Sequence, residues 1–297
     1  MTDKNLAVCL LARNCASRLE ATFRQLDKLS GQFAAVRIFI VENNSTDGTR
    51  ALIEAYKRQN PHVTADCFDD TALDTLHRIE RLALLRNRAL SLVKACADFE
   101  PDYLLMVDAD VGLSLGRLAR ILKKAPSDWV SLSANGRYYL RTAGLRLPVL
   151  YYDLFAYVPA GSGAVMLSES EMLSSRFALQ KQLRRHRFVP CRSAFGGMTV
   201  YRYAAVKNNI YTAEKNNGTE NFEYLCEHVP FTLRLSPWGK SYICRDMKVL
   251  YAPLSREELW IVLKRRFLQL YIKRKTKKIL RQRKKYGKTE RMSDRKK

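Results

Sequence analysis

Two aspartates one residue apart, Asp108 and Asp110, directly follow the apolar run 103–107. Such a run predicts a buried strand, and the ligands of an open α/β sheet lie beyond the carboxyl ends of its strands. Two carboxylates in the turn after that strand can bind one divalent cation, and hard oxygen ligands suit Mg2+ or Mn2+. Asp is also common in ordinary turns, so an isolated pair more often marks a capped strand end.

Glu42 begins a second polar segment, residues 42–49, which reads Glu-Asn-Asn-Ser-Thr-Asp-Gly-Thr between a predicted strand and a predicted helix. Ser, Thr and Asp are good N-cap residues, so a helix cap is sufficient to explain most of this segment. A carboxylate at the end of a buried strand is nevertheless costly without a partner. A nucleotide base or ribose would supply that partner.

Arg86 lies late on a predicted amphipathic helix that leads to the strand before Asp108. The planar fork of donors on a guanidinium binds phosphate oxygens well, so Arg86 is a candidate diphosphate ligand. A lone arginine on a helix is more often part of a solvated face, and the sequence leaves both interpretations open.

The elements that would position these groups alternate between strands and helices in the first half of the chain. Short apolar runs predict strands at 6–12, 36–41 and 103–107, and 62–68 is a plausible further strand. Segments of helical periodicity separate them, which predicts a parallel sheet with helices on its faces. Beyond residue 125 the alternation is less regular, with predicted strands at 129–134, 164–167, 199–203 and 242–244. A mixed sheet is therefore expected in one domain over residues 1–253.

Charge sets residues 254–297 apart from that domain. The chain of 297 residues has a formal net charge of +23, and residues 273–297 alone hold 14 basic and two acidic residues. An apolar and aromatic stretch followed by a basic run suits an anionic membrane surface. Nucleic acid is an alternative on charge alone, although Tyr286 is the one aromatic residue inside the run and base stacking is poorly supported. A solvated tail is the third interpretation.

The rest of the composition excludes several classes of protein. With 47 % hydrophobic residues the chain can bury a full core, which excludes a disordered polyelectrolyte. Its seven cysteines lack CxxC spacing, which indicates reduced thiols in the cytosol and no zinc framework. No run approaches the roughly 18 apolar residues of a spanning helix, so we expect neither a signal peptide nor a membrane anchor.

Taken in order, these segments resemble nucleotide-sugar glycosyltransferases of the GT-A fold, of the large family-2 type. The segments at 42–49 and 82–87, which read ENNSTDGT and LALLRN, are most similar to the fungal capsule-associated mannosyltransferase group. The resemblance covers roughly residues 5–250. It implies a GT-A mixed sheet flanked by helices, and metal-dependent transfer from a UDP- or GDP-linked sugar to a glycan or glycolipid hydroxyl.

The resemblance also implies a role for each matching position. Residues beside the nucleotide and its diphosphate would be Ala12, Arg13, Asn14, Glu42, Asn44, Arg86 and Asp108, and the metal ligands would be Asp108 and Asp110. Gly196 and Gly197 match a Gly-Gly loop where absent side chains let the backbone approach the sugar. A tight turn explains that pair equally simply.

The acceptor half departs from the family at Glu227-His228, where many relatives have Glu-Asp. Glu227 would deprotonate the acceptor hydroxyl of an inverting enzyme, whereas a retaining enzyme needs no dedicated base. His228 is expected as a third metal ligand or as a base, with a backbone-bonded helix-start residue as the alternative. Asp153, where the acceptor cleft of the family begins, is a candidate for binding a sugar hydroxyl, and an ordinary loop carboxylate is its alternative.

Two other functions compete with sugar transfer. A sugar-1-phosphate nucleotidyltransferase uses a related sheet and a metal, but its glycine-rich basic loop after the first strand is missing from residues 12–15. A nucleic-acid-binding protein would act through the basic tail, and we do not expect that partner. The main expectation is thus a cytoplasmic enzyme, peripheral to the membrane, that binds a nucleoside diphosphate sugar and an acceptor glycan or glycolipid.

Overall fold

The computed structural model describes residues 1–142, 145–163, 168–216, 222–256, 259–260 and 263–264. The chain divides into a unit Met1–Ala252 and a unit Pro253–Lys297. The strand predicted at 164–167 and the basic run 273–297 lie outside the described residues. Within the described ranges, no helix combines the length and the apolar character that crossing a membrane requires.

Strands and helices alternate through the described part of the first unit. The strands are β1 (Asn5–Ala12), β2 (Ala35–Asn43), β3 (Val63–Phe68), β4 (Tyr103–Asp108), β5 (Gly112–Leu113), β6 (Trp129–Thr142), β7 (Leu145–Tyr151), β8 (Val158–Pro159), β9 (Phe188–Ser193), β10 (Met198–Arg202) and β11 (Lys240–Pro253). The α-helices are α1 (Ala16–Leu26), α2 (Thr49–Gln59), α3 (Ala72–Thr75), α4 (Arg78–Ala95), α5 (Leu118–Leu122), α6 (Glu169–Arg185), α7 (Tyr203–Val206) and α8 (His228–Leu233).

All eleven of these strands belong to one sheet, in the order β3-β2-β1-β4-β10-β6-β11-β9-β8, with β5 on β11 and β7 on β6. The strands β1 to β4 pair in parallel, whereas β10, β6, β9 and β11 pair antiparallel to their neighbours. The predicted α/β class, a mixed sheet flanked by helices, is confirmed. The strands predicted from 6–12, 36–41, 62–68, 103–107 and 129–134 are also confirmed.

Alternating side chains of β1 divide the core into two layers. Leu6, Val8 and Leu10 pack with the residues of α1 and α2, whereas Ala7 and Cys9 pack with those of α4. Successive side chains of a strand point to opposite faces, so a central strand covered by helices on both faces is apolar throughout. This explains why the sequence of β1 is a continuous apolar run.

The same alternation assigns the acidic residues at the carboxyl edge of the sheet to different faces. Ile40 packs in the layer of α1 and α2, so Glu42, two residues later, points to that face. Met106 packs in the layer of α4, so Asp108 points to the opposite face. Both acids lie beside the end of β1, because Ala12 is the register partner of Glu42 and its neighbour Leu11 that of Asp108. Glu42 and Asp108 therefore lie on opposite faces of the sheet edge and in different surroundings.

Candidate active site

A buried guanidinium joins three elements at the α4 face of the sheet edge. Arg86 of α4 donates from Nε to Oε1 of Glu227 at 3.0 Å and from Nη2 to Oδ1 of Asp108 at 3.1 Å. Arg86 and Glu227 are each only 2 % exposed. The tertiary structure thus brings together the helix arginine, the first aspartate of the Asp-x-Asp motif and the acidic residue before α8.

Aromatic rings hold Arg86 in this position. Its Cζ atom lies 4.8 Å from the ring centroid of Phe195 and 5.8 Å from that of Tyr211. The side chain of Asn87, next on α4, donates to the carbonyl of Tyr211 at 2.9 Å and accepts from its N–H at 2.7 Å. A cation over aromatic faces is stabilised by the ring quadrupole. Sequence analysis did not identify Phe195 or Tyr211. It identified only the helix that carries Arg86.

Burial and charge determine the protonation of this cluster. Although burial opposes its charge, the carboxylates of Asp108 and Glu227 raise the pKa of Arg86, which stays protonated. Burial, helped by the charge of Asp110, raises the pKa of Asp108 to about 6 against the lowering effect of Arg86. Asp108 is therefore a carboxyl group that changes charge close to neutral pH.

Glu227 has no open face toward an acceptor. Its Oε1 accepts from Arg86, and its Oε2 lies 3.6 Å from the thiol of Cys226. A general base needs hydrogen-bond contact with the proton that it removes. At 2 % exposure Glu227 holds the guanidinium, and the base role expected from the sequence stays a prediction.

His228 is buried behind the same cluster. Its ring stacks on Phe195 with centroids 3.7 Å apart, and its Nε2 lies 3.6 Å from Oε1 of Glu227. Burial and the charge of Arg86 lower the pKa of His228 well below its usual range, so the imidazole is neutral. Among the described residues no three His, Cys, Asp or Glu side chains form a metal-binding group. The structure thus packs His228 against Phe195, and its expected role as a metal ligand or base stays a prediction.

The Gly196-Gly197 turn links Asp108 to Asp153. The N–H of Gly196 donates to Oδ2 of Asp153 at 2.7 Å, and the carbonyl of Gly197 accepts from the N–H of Asp108 at 3.1 Å. Burial raises the pKa of Asp153 to about 6, against the lowering effect of the Gly196 hydrogen bond. Asp153 is only partly buried. It is therefore a carboxylate that a hydroxyl group can reach.

Glycine is required in this turn for reasons internal to the protein. Gly196 and Gly197 have φ values of +67° and +85°, which side chains rarely adopt. A Cβ on Gly196 would lie 2.2 Å from the carbonyl oxygen of Ala134 in β6, and a Cβ on Gly197 would lie 3.0 Å from the hydroxyl of Tyr152. Protein atoms occupy the position of a Cβ on each glycine, so packing alone requires glycine here, and the expected approach to a sugar stays a prediction.

Three tyrosines line the site next to this turn. Tyr152 and Tyr251 stack with centroids 4.2 Å apart and an interplanar angle of 9°, and Tyr138 meets both rings edge-on. A cavity of about 470 Å³ lies between Tyr152, Phe155 and the start of α4 at Arg78. The sequence segment around Asp153 pointed to this region without revealing the tyrosine cluster. The cavity is a candidate substrate entrance.

Glu42 is bonded to the protein through both of its carboxylate oxygens. It is fully buried, its Oε1 accepts from the N–H of Ser45 at 2.8 Å, and its Oε2 accepts from Nε of Arg50 at 2.7 Å. Arg50 also bonds Asp69 through both of its terminal nitrogens. The partner that the sequence led us to expect from a ribose or base is thus supplied by Arg50, a residue that sequence analysis missed.

The other residues predicted beside a nucleotide form a hydrogen-bonded rim after β1 and β2. Ala12 ends β1, Arg13 pairs with Asp74 at 2.7 Å, and the amide of Asn44 donates to the same Asp74 at 2.9 Å. Asn14 and Asn44 adopt left-handed φ values of 46° and 52°. These residues are neighbours of one another, and the Arg86 cluster lies on the other face of the sheet edge.

The Asp-x-Asp pair fits a hard divalent cation that also binds a phosphate ligand. Asp110 is exposed, and within the described residues no ion pair engages it. Asp108 presents one oxygen to Arg86 and has 28 % of its side chain exposed. Mg2+ is commonly held by one or two carboxylates together with substrate phosphates. Asp108 and Asp110 are the described residues that match this pattern.

Comparison with known proteins gives one family and several structures. The family described as Cryptococcal mannosyltransferase 1 matches residues 8–231. S. aureus TarS 1–349 is 16 % identical, with a TM-score of 0.46 over 87 % of this chain and 63 % of that one. Its complex with UDP-GlcNAc is 15 % identical, with a TM-score of 0.47 over 84 % and 59 %. PcManGT from Pyrobaculum calidifontis, in complex with GDP-Man and Mn2+, is 13 % identical, with a TM-score of 0.46 over 86 % and 58 %.

These matches differ in how much of each protein they include. The chain spans less than two thirds of the length of each of these three solved chains. The family match, in contrast, includes Arg86, both carboxylates bonded to it and the rings that pack against it. No match is found among the curated proteins.

Proposed function

We propose that this chain transfers sugars, because it belongs to the family described as Cryptococcal mannosyltransferase 1. The reaction would move a sugar from a UDP- or GDP-linked donor to a hydroxyl group of a glycan or glycolipid. The observation that carries this proposal is the buried bridge from Arg86 to Asp108 and Glu227. It fixes a positive charge beside the carboxylate that ends β4.

The main electrostatic demand of this reaction is the negative charge that grows on the departing diphosphate. A divalent cation bound by Asp108 and Asp110 would act as a Lewis acid toward the diphosphate oxygens. Arg86 orients Asp108 through its hydrogen bond, and Glu227 in turn holds Arg86. Groups fixed before the reaction stabilise developing charge without reorganisation. Arg86 and Glu227 are thus positioning residues in this proposal.

Asp153 is the proposed contact for the acceptor hydroxyl. It lies partly exposed beside the Gly196-Gly197 turn, and its pKa of about 6 suits a base that works near neutral pH. In an inverting reaction Asp153 would accept the proton of the attacking hydroxyl. In a retaining reaction the hydroxyl approaches the side of the leaving group, and Asp153 would only orient it.

We place this reaction at the cytosolic face of a membrane, as a proposal based on charge. The 14 basic residues in 273–297 would concentrate the enzyme on anionic lipids that carry or surround its acceptor. The acceptor would then be a membrane-associated glycan or a glycolipid.

Thermal melting with nucleotides tests the donor and the metal together. GDP, UDP and UTP are added to the full chain with and without Mn2+, and a metal-dependent rise in Tm with one diphosphate is expected. Asp110→Asn should remove the metal-dependent part of the rise and most sugar transfer. Asp3→Asn, a change at an exposed carboxylate near the start of the chain, is the matched control.

Three outcomes would contradict the proposal. A rise in Tm with UTP alone would favour a nucleotidyltransferase. Equal shifts in Tm with and without Mn2+ would contradict the proposed metal dependence. Full transfer by the Asp110→Asn variant would remove that residue from the site. Hydrolysis of a panel of nucleotide sugars would then identify the donor.

A further inference from the structure

A basic crevice of about 970 Å³ lies on the α1 face, outside the cluster described above. It is bounded by α1, by the segment after Asp110, by the β6–β7 hairpin and by β11. Its basic lining residues are Arg18, Arg137, Arg141, Arg146, Arg245 and Lys248. We call this feature the basic crevice. Its volume is within the range of sites that bind small organic ligands.

The charges in the basic crevice are largely uncompensated. Of the lining residues that the structure describes, Asp246 is the acidic one, and it is already bonded to Arg187 at 2.7 Å and to Arg245 at 3.1 Å. In the part of the chain that the structure describes, no carboxylate forms an ion pair with Arg137, and its Nε donates to Asn135 at 3.0 Å. Burial and the charge of Arg184 lower the pKa of Arg137. Among the described lining residues, positive charge is thus concentrated with Asp246 as the one counter-charge.

Two arginines face each other directly across the β6–β7 hairpin. Arg141 and Arg146 are register partners, and the Cζ atom of Arg146 lies 5.3 Å from the ring centroid of Tyr139. Like charges directly opposite on paired strands destabilise the pair. Burial raises the pKa of Tyr139, but Arg141 and Arg146 lower it overall, which reports a positive local potential. An anion bound between these arginines would relieve their repulsion.

The basic crevice also borders the Asp-x-Asp loop. Val111 follows Asp110 and lines the crevice, and its Cγ1 would lie 3.4 Å from a Cβ on Gly197. Thr22 of α1 lines it too, and its hydroxyl donates to the carbonyl of Ala109 at 3.4 Å. A ligand held in the crevice would therefore lie beside the loop that carries both aspartates.

From these observations we propose that the basic crevice binds the acceptor, and that this acceptor is an anionic glycan. This proposal rests on the proposed function, because only a sugar transferase has an acceptor. Binding of the glycan can nevertheless be measured without turnover. The hydroxyl of Ser17 and the amide of Gln25 add hydrogen-bonding groups of the kind that sugar hydroxyls use. Among the described lining residues there is no aromatic ring, which argues against stacking with nucleic-acid bases.

The test compares binding of hexagalacturonate, an anionic oligosaccharide, by three full-length proteins. They are the unaltered chain, the double variant Arg141→Ser with Arg146→Ser, and the control Lys57→Ser with Arg58→Ser on the exposed surface of α2. All four side chains are exposed, so each protein is expected to fold, and the basic tail is the same in all three. Calorimetric titration measures Kd, with neutral maltohexaose as the matched ligand.

We expect the crevice variant to bind hexagalacturonate about tenfold more weakly and the control variant to bind it within about twofold of the unaltered chain. Maltohexaose should bind weakly to all three proteins. A second variant, Lys248→Glu, should weaken hexagalacturonate binding in the same direction. Selective loss in the two crevice variants supports the proposal.

Three results would overturn it. Equal binding by all three proteins would assign the anion affinity to the tail or another surface. Tighter binding of an oligothymidylate, lost in the crevice variant, would make the occupant a nucleic acid. A raised Kd for GDP or UDP in that variant would make the crevice part of the donor site. Failure of the proposed function appears separately, as absence of nucleotide-sugar hydrolysis by the unaltered chain.

Discussion

Arg86 and Glu227 form a buried ion pair at 3.0 Å although they are 141 positions apart in the chain. The same guanidinium bonds Asp108 at 3.1 Å. One side chain of α4 therefore fixes both the residue that ends β4 and the residue that precedes α8. Removing one member of a buried pair leaves the other charge without compensation, so this contact has measurable consequences for stability.

Substituting Glu227 should destabilise the protein in a graded way. Glu227→Ala leaves Arg86 with Asp108 as its one carboxylate partner, and a loss of about 3–5 kcal/mol in the free energy of unfolding is expected. Glu227→Gln keeps an oxygen acceptor for Nε and should lose less. Urea denaturation of the unaltered chain, Glu227→Ala and Glu227→Gln measures the differences in the free energy of unfolding.

An exposed pair is the control for this comparison. Glu20 and Arg24 lie 3.7 Å apart on α1, and both side chains are more than two thirds exposed. Glu20→Ala should therefore cost less than about 0.5 kcal/mol. A Glu227→Ala variant no less stable than Glu20→Ala would contradict the importance of the buried bridge.

Asp153 should make stability depend on pH. Its pKa is raised to about 6 in the folded chain, so the folded state binds this proton more tightly than the unfolded state does. Stability is then lost as the pH rises from about 4 through about 6, because the partly buried carboxyl must ionise. Asp153→Asn removes that cost, and we expect a gain of about 1–2 kcal/mol at pH 8 that vanishes below pH 4. Urea denaturation across this pH range would refute the assignment if the gain were independent of pH.

Gly196 should tolerate no side chain. In Gly196→Ala the new Cβ would meet the carbonyl oxygen of Ala134 at 2.2 Å, at a φ of +67°, so a loss of at least about 2 kcal/mol is expected. Gly31→Ala is the matched control, because no atom lies within 4 Å of its new Cβ. The control should be neutral or up to about 1 kcal/mol more stable. Similar unfolding curves for the two variants would contradict the packing described for the turn.

The basic tail should bind anionic membranes. Deleting 273–297 removes 14 basic residues, and the fraction that pellets with phosphatidylserine liposomes should fall at least about tenfold. Phosphatidylcholine liposomes provide the uncharged control, and high salt should reproduce the effect of the deletion. Undiminished pelleting of the shortened chain would defeat the membrane proposal.

The sequence alone was sufficient for the strands β1 to β4 and for the position of the Asp-x-Asp motif. The strands β1, β2 and β4 are largely apolar runs, which is the pattern of strands buried on both faces, whereas β3 lies at the end of the strand order and includes Thr64 and Asp66. The acidic pair follows the last of them directly in the chain, so its place at the sheet edge required no knowledge of distant contacts. Local spacing therefore determined the fold class and one half of the candidate site.

The tertiary structure alone decided which partner each charged group meets. Arg86 was expected at a diphosphate and lies between two carboxylates, and Glu42 was expected at a ribose and is bonded to Arg50. The strands β7 and β9 were also missed, because their pairing lies beyond residue 125, where strands no longer alternate regularly with helices. Side-chain partners depend on the face to which a strand or helix turns each residue and on chain segments more than a hundred positions away. Spacing along the sequence carries no record of those contacts.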